Sequence, residues 1–310
     1  MKPSYRPYLA LVVGVLAASS ASVFIRYAQV AGASSLVIAL WRVALATLIL
    51  TPFVLARHRP TLLNLKAGQI GLAVLAGVFL ALHFASWITS LEYTSVLISV
   101  TLVTTNPLVV AFVSPFLLRE KLTRVTIGAI VLAIIGGVII SATGDVGAAP
   151  KQDSALIGIG LALIGSLTVA AYFIIGRRLR ATLPLLPYIW LTYGATALTL
   201  LAMVILNRLP ITGLGGDAYL WMSLTALFPQ LVGHSLLNYA LGFLSASFVS
   251  LSVLGEPIFS TLFAAFPPIS ETPKVIQIVG SAVILIALVI ASREETRKET
   301  ARQRERTADA

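Results

Sequence analysis

The sequence predicts an all-α membrane protein: ten transmembrane helices as two inverted five-helix repeats, with both termini cytoplasmic. Three observations carry that prediction. The chain has too little polar surface for water, it contains ten apolar stretches of spanning length, and a segment of the first half returns in the second.

Of the 310 residues, 58% are hydrophobic and only 11% are charged, and the mean hydropathy is +0.95. A soluble domain carries about 25% charged residues, so lipid must solvate most of this surface. Cysteine is absent, which excludes a disulfide framework, a thiol nucleophile and a thiolate metal site.

A spanning helix needs about 20 mostly apolar residues. Such stretches lie near 7–27, 35–56, 67–90, 95–117, 125–143, 155–176, 185–206, 218–241, 247–266 and 275–291. Breakers separate them, among them Arg57-His58-Arg59-Pro60, Gly144-Asp145-Val146-Gly147 and Thr212-Gly213-Leu214-Gly215-Gly216-Asp217. In the first stretch, Ala18-Ser19-Ser20-Ala21 resembles a signal-peptide cleavage region. The apolar run continues to Ile25, however, and the repeat needs this helix as a partner, so it reads as retained. The expected organisation is a first repeat over 1–143, an outer linker over 144–154, a second repeat over 155–291 and a cytoplasmic tail over 292–310. The tail has almost no apolar residues and is expected to be disordered.

The basic residues set the orientation. With the N-terminus inside, the inner side holds Lys2, Arg6, Arg57, Arg59, Lys66, Arg119, Lys121, Arg124, Arg177, Arg178 and Arg180, joined by the tail's Arg293, Arg297, Lys298, Arg302, Arg304 and Arg306. The outer side holds Arg26, Lys151, Arg208 and Lys274. Loop Lys and Arg residues stay on the cytoplasmic side. Spread over short loops, they form no stripe for nucleic acid despite the net charge of +10. The tail is placed to touch anionic lipid heads.

Residues 83–107 resemble residues 234–257. His83 matches His234, Trp87 matches Asn238, and Asn106-Pro107 matches Glu256-Pro257, at an offset of about 150 residues. Five crossings per half is odd, so the second half runs in the opposite sense. Inverted repeats of this kind build transporters whose site lies near the midplane between the halves.

Polar residues inside the apolar stretches are the candidate site, because a membrane tolerates them at a cost. Glu256 lies about 14 Å deep. Pro257 leaves the carbonyl of Val253 without its helical donor. A carboxylate there either carries a proton, meets an ammonium group or locks neighbouring helices. Asn106, beside Pro107 and the freed carbonyl of Val103, either touches substrate or glues helices together, a role worth about 0.6–2 kcal/mol. Arg42 either grips a carboxylate or snorkels or ties helix 2 to carbonyls; the family resemblance described below implies the structural role. His83 and His234 suit a pathway or plain packing, and His234 joins Glu256 as a proton-coupling candidate. Trp87 lies one turn from His83, and Asn238 one turn from His234. Trp87 is either an aromatic wall for an amphipathic solute or a belt residue, the reading that suits Trp190 and Trp221 better. Arg26 is expected to snorkel. Tyr172 is a weaker pathway candidate. No third ligand stands beside either histidine, so no metal is expected, and no cofactor. The motifs HExxH, GxxxxGK[ST] and GxSxG are absent. An enzyme or lipid-handling protein would need the nucleophile–base pair or metal triad that the sequence lacks.

Several segments resemble the drug/metabolite transporter superfamily, in its EamA-type ten-helix branch. They are Trp41-Arg42 with Ala44, Leu91-Glu92-Tyr93-Thr94-Ser95-Val96, Asn106-Pro107-Leu108, Leu118-Arg119-Glu120-Lys121-Leu122-Thr123, Gly233-His234-Ser235-Leu236-Leu237-Asn238-Tyr239 and Gly255-Glu256-Pro257. The second half departs from the pattern at Ser270-Glu271-Thr272-Pro273, where basic character is lost. The resemblance implies a cavity lined by helices 1, 3, 4, 6, 8 and 9. It also implies a plasma-membrane exporter of amino acids, drug-like solutes or other metabolites, working by alternating access on the substrate gradient or by proton exchange.

Overall fold

The computed structural model describes residues 5–94, 96–117, 123–141, 155–264 and 275–308. Among these residues every regular element is a helix. The first half comprises α1 (Arg6–Ser19), α2 (Ala21–Val30), α3 (Ser35–Arg57), the short α4 (Arg59–Leu63), α5 (Ala67–Tyr93), α6 (Val96–Val103), α7 (Asn106–Leu117) and α8 (Arg124–Ser141). The second comprises α9 (Ala155–Arg180), α10 (Leu185–Leu206), α11 (Gly216–Thr225), a π-helix (Ala226–His234), α12 (Ser235–Leu241), α13 (Ala246–Val253), α14 (Glu256–Ala264) and α15 (Val275–Ala308).

Among the described residues, six helical runs are long and apolar enough to cross a membrane: Arg6–Val30, Ser35–Arg57, Ala67–Tyr93, Leu156–Arg180, Leu185–Leu206 and Gly216–Leu241. Shorter apolar helices occupy Ser99–Val110, Arg124–Ile139, Ala246–Ser260 and Ile278–Ala291. The outward faces are apolar, with Leu48, Phe53, Val138, Leu198 and Ile205 exposed. A helix satisfies its own backbone groups, which is why this architecture tolerates a hydrocarbon solvent.

Packing repeats between the halves. α5 lies along α9, and the corresponding run α11–π–α12 lies along α2 and α1. α3 packs on its counterpart α10, and α8 on its counterpart α15. Small residues permit these approaches. A Cβ on Gly77 would fall 2.6 Å from the Ala195 Cβ, between α5 and α10. One on Gly136 would fall 2.7 Å from the Gly280 carbonyl, between α8 and α15.

Three features refine or depart from the sequence reading. First, the stretches around Asn106 and Glu256, where the prolines imply broken helices, are each two separate helices. α6 stops at Val103 and α7 starts at Asn106; α13 stops at Val253 and α14 starts at Glu256. Pro107 and Pro257 cannot donate backwards, and the turns before them close with i→i−3 bonds, Thr105 N to Leu102 O at 3.2 Å and Gly255 N to Ser252 O at 3.1 Å. Second, the eighth apolar stretch contains nine residues of π-helix around Pro229. Third, α15 continues beyond Ser292 to Ala308, where a disordered tail was expected. That segment has no Pro or Gly and consists largely of good helix formers, with Glu294 four residues before Lys298. The Arg119–Leu122 and Ser270–Pro273 segments and the expected linker over 144–154 lie outside the described residues.

Candidate functional site

The broken helices aim at one cavity between the halves. Ala18 and Ala21 line it from the α1–α2 run, Arg42 from α3, His83 and Trp87 from α5, and Asn106 from the first residue of α7. The second half contributes Val169 and Phe173 from α9, His234 and Leu237 from the eighth stretch, and Glu256 from the first residue of α14. Six of the eight predicted site residues therefore meet in one place. The cavity measures about 30 Å³, room for about one or two water molecules. A solute of metabolite size is accommodated only when the helices part.

Arg42 does not snorkel. It is fully buried, its guanidinium lies 4.2 Å from the Phe84 ring centroid, and its Nε donates to Gln230 Oε1 at 2.7 Å. Cation–π contact and one hydrogen bond hold it, and its Nη1 has no hydrogen-bond partner among the described residues. Glu256 lies within its electrostatic field, yet no ion pair joins the two. A guanidinium and a carboxyl group thus share a cavity without touching.

Phe84 also joins the histidines. Its ring centroid lies 5.0 Å from that of His83 and 5.3 Å from that of His234. His83 Nδ1 faces the Gly165 carbonyl at 2.9 Å, and its ring stacks on Trp87 at 5.7 Å. Trp87 is buried inside the bundle, while Trp190 and Trp221 are half-buried. The two histidines are not structural equivalents, as their sequence match implies. Gly14 and Gly165 sit 151 residues apart on corresponding helices. Gly165 is met by His83, whereas Gly14 packs on Gly233 and Leu236. His234 is the last residue of the π-helix, and its ring lies against Phe84.

The carbonyl of Val103, freed by Pro107, is already used: Asn106 Nδ2 donates to it at 3.3 Å. Asn106 Oδ1 is left buried without a partner. Tyr172 and Asn238 lie beside the cavity and do not line it. The Asn238 amide donates to the Tyr172 hydroxyl and to the His234 carbonyl, the latter at 2.7 Å. The Tyr193 hydroxyl lies 3.5 Å away, and Tyr188 packs its hydroxyl against Gly176.

Two latches close the bundle above and below this site. At one end, α2 holds the C-terminal turns of α5: Gln29 Nε2 donates to the Ile88 carbonyl at 3.1 Å and Arg26 Nη2 to the Thr94 carbonyl at 3.4 Å. Arg26 thus caps a carbonyl where snorkelling was expected. Ser35 adds a bond to Ile88 O at 3.3 Å and one to the Glu92 carboxylate. At the other end, α9 holds the C-terminal turns of α12: Arg180 Nε donates to the Asn238 carbonyl at 3.1 Å and Arg177 Nη1 to the Leu241 carbonyl at 2.7 Å. Cations suit helix C-termini.

Sequence reasoning missed Gln230 and Phe84. Gln230 carried a signal: Pro229-Gln230 is a polar amide beside a proline inside an apolar stretch, the signature that singled out Asn106-Pro107. Phe84 carried none.

A membrane-embedded helical bundle with a polar cavity between two repeats defines a transporter. The EamA-like transporter family matches this chain twice, over residues 6–142 and 156–293. The chain belongs to that family, and with it to the drug/metabolite transporter superfamily. It is 24% identical over 82% of its length to "Uncharacterized transporter YyaM" of Bacillus subtilis (strain 168), covering 83% of that protein. It is 23% identical over 79% of its length to an "Uncharacterized transporter" of Clostridium kluyveri, covering 79% of that one. A solved structure described as "Crystal structure of protein" superposes with a TM-score of 0.75 at 16% identity, over 94% of this chain and 98% of that one. That likeness is one of fold alone.

Proposed function

We propose that the protein is a ten-crossing carrier of the cell (inner) membrane that exports small metabolites, such as amino acids or drug-like amphipathic solutes. The reading gives it both termini in the cytoplasm and two inverted halves over 1–143 and 155–291. It works by alternating access, and Glu256 couples export to proton exchange by holding either a proton or the solute. The observation that carries this reading is the pair of latches on either side of one cavity. Both are side-chain bonds to helix-end carbonyls, which can break without unfolding either helix. Opening the Gln29 latch exposes the cavity outside; opening the Arg177–Arg180 latch exposes it inside. An intramembrane enzyme or lipid-handling protein has no need of two such closures.

The test is solute exchange in proteoliposomes, with and without a pH gradient. It covers amino acids, cationic drugs and nucleotide precursors. The expected result is that one class exchanges, and that Glu256→Gln keeps exchange while losing pH-driven uptake. If no solute moves in a folded preparation, the carrier reading fails and lipid-linked substrates take its place.

A further inference from the structure

We infer that the seam between α1 and the α13–α14 run is a lipid site. It takes one acyl chain of an anionic phospholipid and sets the phosphate against Arg293 and Arg297. The site lies on the outer surface of the bundle, apart from the central cavity, and it does not depend on which solute is carried.

The two halves treat this seam differently. In the first half α9 packs on both α6 and α7, and the Ser166 and Thr105 hydroxyls hydrogen-bond across the contact at 3.0 Å. The corresponding positions in the second half are Val15, 151 residues before Ser166, and Gly255, 150 residues after Thr105. The hydroxyl pair is thus replaced by an isopropyl group facing no side chain at all. The seam between α1 and the α13–α14 run stands open as a groove of about 310 Å³. Val12 and Val15 line it from α1, Gly255 and Phe259 from the opposite run, and Leu285 and Val289 from α15. A Cβ on Gly255 would intrude on its floor, 3.2 Å from Val15 Cγ1. A groove of about 280 Å³ beside Thr105 runs between α6 and α8 and takes no wall from α9.

The walls and the rim identify the occupant. Val12, Leu285 and Val289 are each about half exposed, so the groove opens on the hydrocarbon that covers this face. The hydroxyl of Ser252, its one serine, already donates to the Phe248 carbonyl at 2.9 Å. Water does not fill an apolar cavity, and an empty one forfeits the dispersion contacts of its lining. An acyl chain restores them. From Tyr8 to Val15 the groove follows two turns of α1, about 10 Å. The rings of Tyr8 and Phe248, 6.0 Å apart and edge to face, close one end. α15 meets α13, the helix that carries Phe248. Past Val289 the same stripe of α15 continues, at spacings of four, with Arg293 and Arg297. Both are exposed, and Glu294 lies about 100° round the helix from Arg293. The two cations stand where a headgroup leaves the apolar groove, and cations beside a bilayer attract anionic lipid.

The test uses the full chain in nanodiscs of phosphatidylglycerol and phosphatidylcholine with identical chains, and native mass spectrometry counts the lipids retained. The wild type is expected to retain one lipid and to prefer phosphatidylglycerol by at least about fivefold, the effect of one basic group at a membrane surface. Arg293→Gln with Arg297→Gln should erase that preference and still retain a chain. Val12→Trp fills the groove from its lipid side and should cut retention of both lipids by about tenfold. Leu48→Trp, at an exposed apolar position on α3 outside the groove, should change nothing. The inference is overturned if the wild type retains both lipids alike, or if Val12→Trp retains as much as the wild type. It is equally overturned if Leu48→Trp loses as much as Val12→Trp. A second copy seated in the groove would appear as a dimer that Val12→Trp dissociates, and that result too would overturn it.

Discussion

The end of the bundle latched by Gln29 and the end latched by Arg180 follow one plan with different chemistry. Each side chain sits at the C-terminal end of the first long helical run of its half, and each donates at 3.1 Å to a carbonyl on the run opposite. The carbonyl owners, Ile88 and Asn238, lie 150 residues apart. At one end the donor is a neutral amide, seconded by Ser35 and by Arg26 at a longer distance. At the other, two guanidinium groups do the work. The cavity shows the same contrast. The first half places an amide, Asn106, where the second places a carboxylate, Glu256, and the first adds Arg42. The duplicated scaffold fixes where side chains fall, and their divergence makes the two ends chemically unequal. A hydrogen bond from a charged donor is about twice as strong as one between neutral groups, so the Arg177–Arg180 end should be the harder to open.

That difference can be broken in steps. The chain contains no cysteine, so a single Val169→Cys in the cavity wall reports opening through reaction with a membrane-impermeant maleimide. Removing two charged hydrogen bonds has the largest expected effect. Arg177→Ala with Arg180→Ala should raise the labelling rate by about a hundredfold or more, since each such bond is worth about 1.5–3 kcal/mol. Gln29→Ala removes two neutral bonds, to the Ile88 carbonyl and the Ser35 hydroxyl, of about 1 kcal/mol each at most, and should raise it by about fivefold to thirtyfold. The smallest effect sharpens the comparison. Gln29→Arg makes the two latches alike and should slow exchange by about two- to threefold, measured as solute counterflow.

The sequence carried the composition and spacing that set the fold, and most of the site. Length, hydropathy and in-membrane polarity located Arg42, His83, Trp87, Asn106, His234 and Glu256, because each is conspicuous against an apolar background. What it could not carry depends on rotation about a helix axis. Tyr172 and Asn238 face each other beside the cavity and do not line it. The nine-residue π-helix ends at His234, and no periodicity marked it. The latches were invisible because their acceptors are backbone carbonyls, which every residue possesses. The helical continuation of α15 past Ser292 was misread from composition, since hydrophilicity alone does not oppose helix formation.

The central claim is that one cavity is reached alternately from two ends. Sidedness of labelling tests it most directly, with the maleimide applied to one face of the membrane at a time. With Val169→Cys as reporter, the Arg177→Ala/Arg180→Ala variant should be labelled from the cytoplasmic face, and Gln29→Ala from the opposite face. Labelling of both variants from the same face would contradict the account.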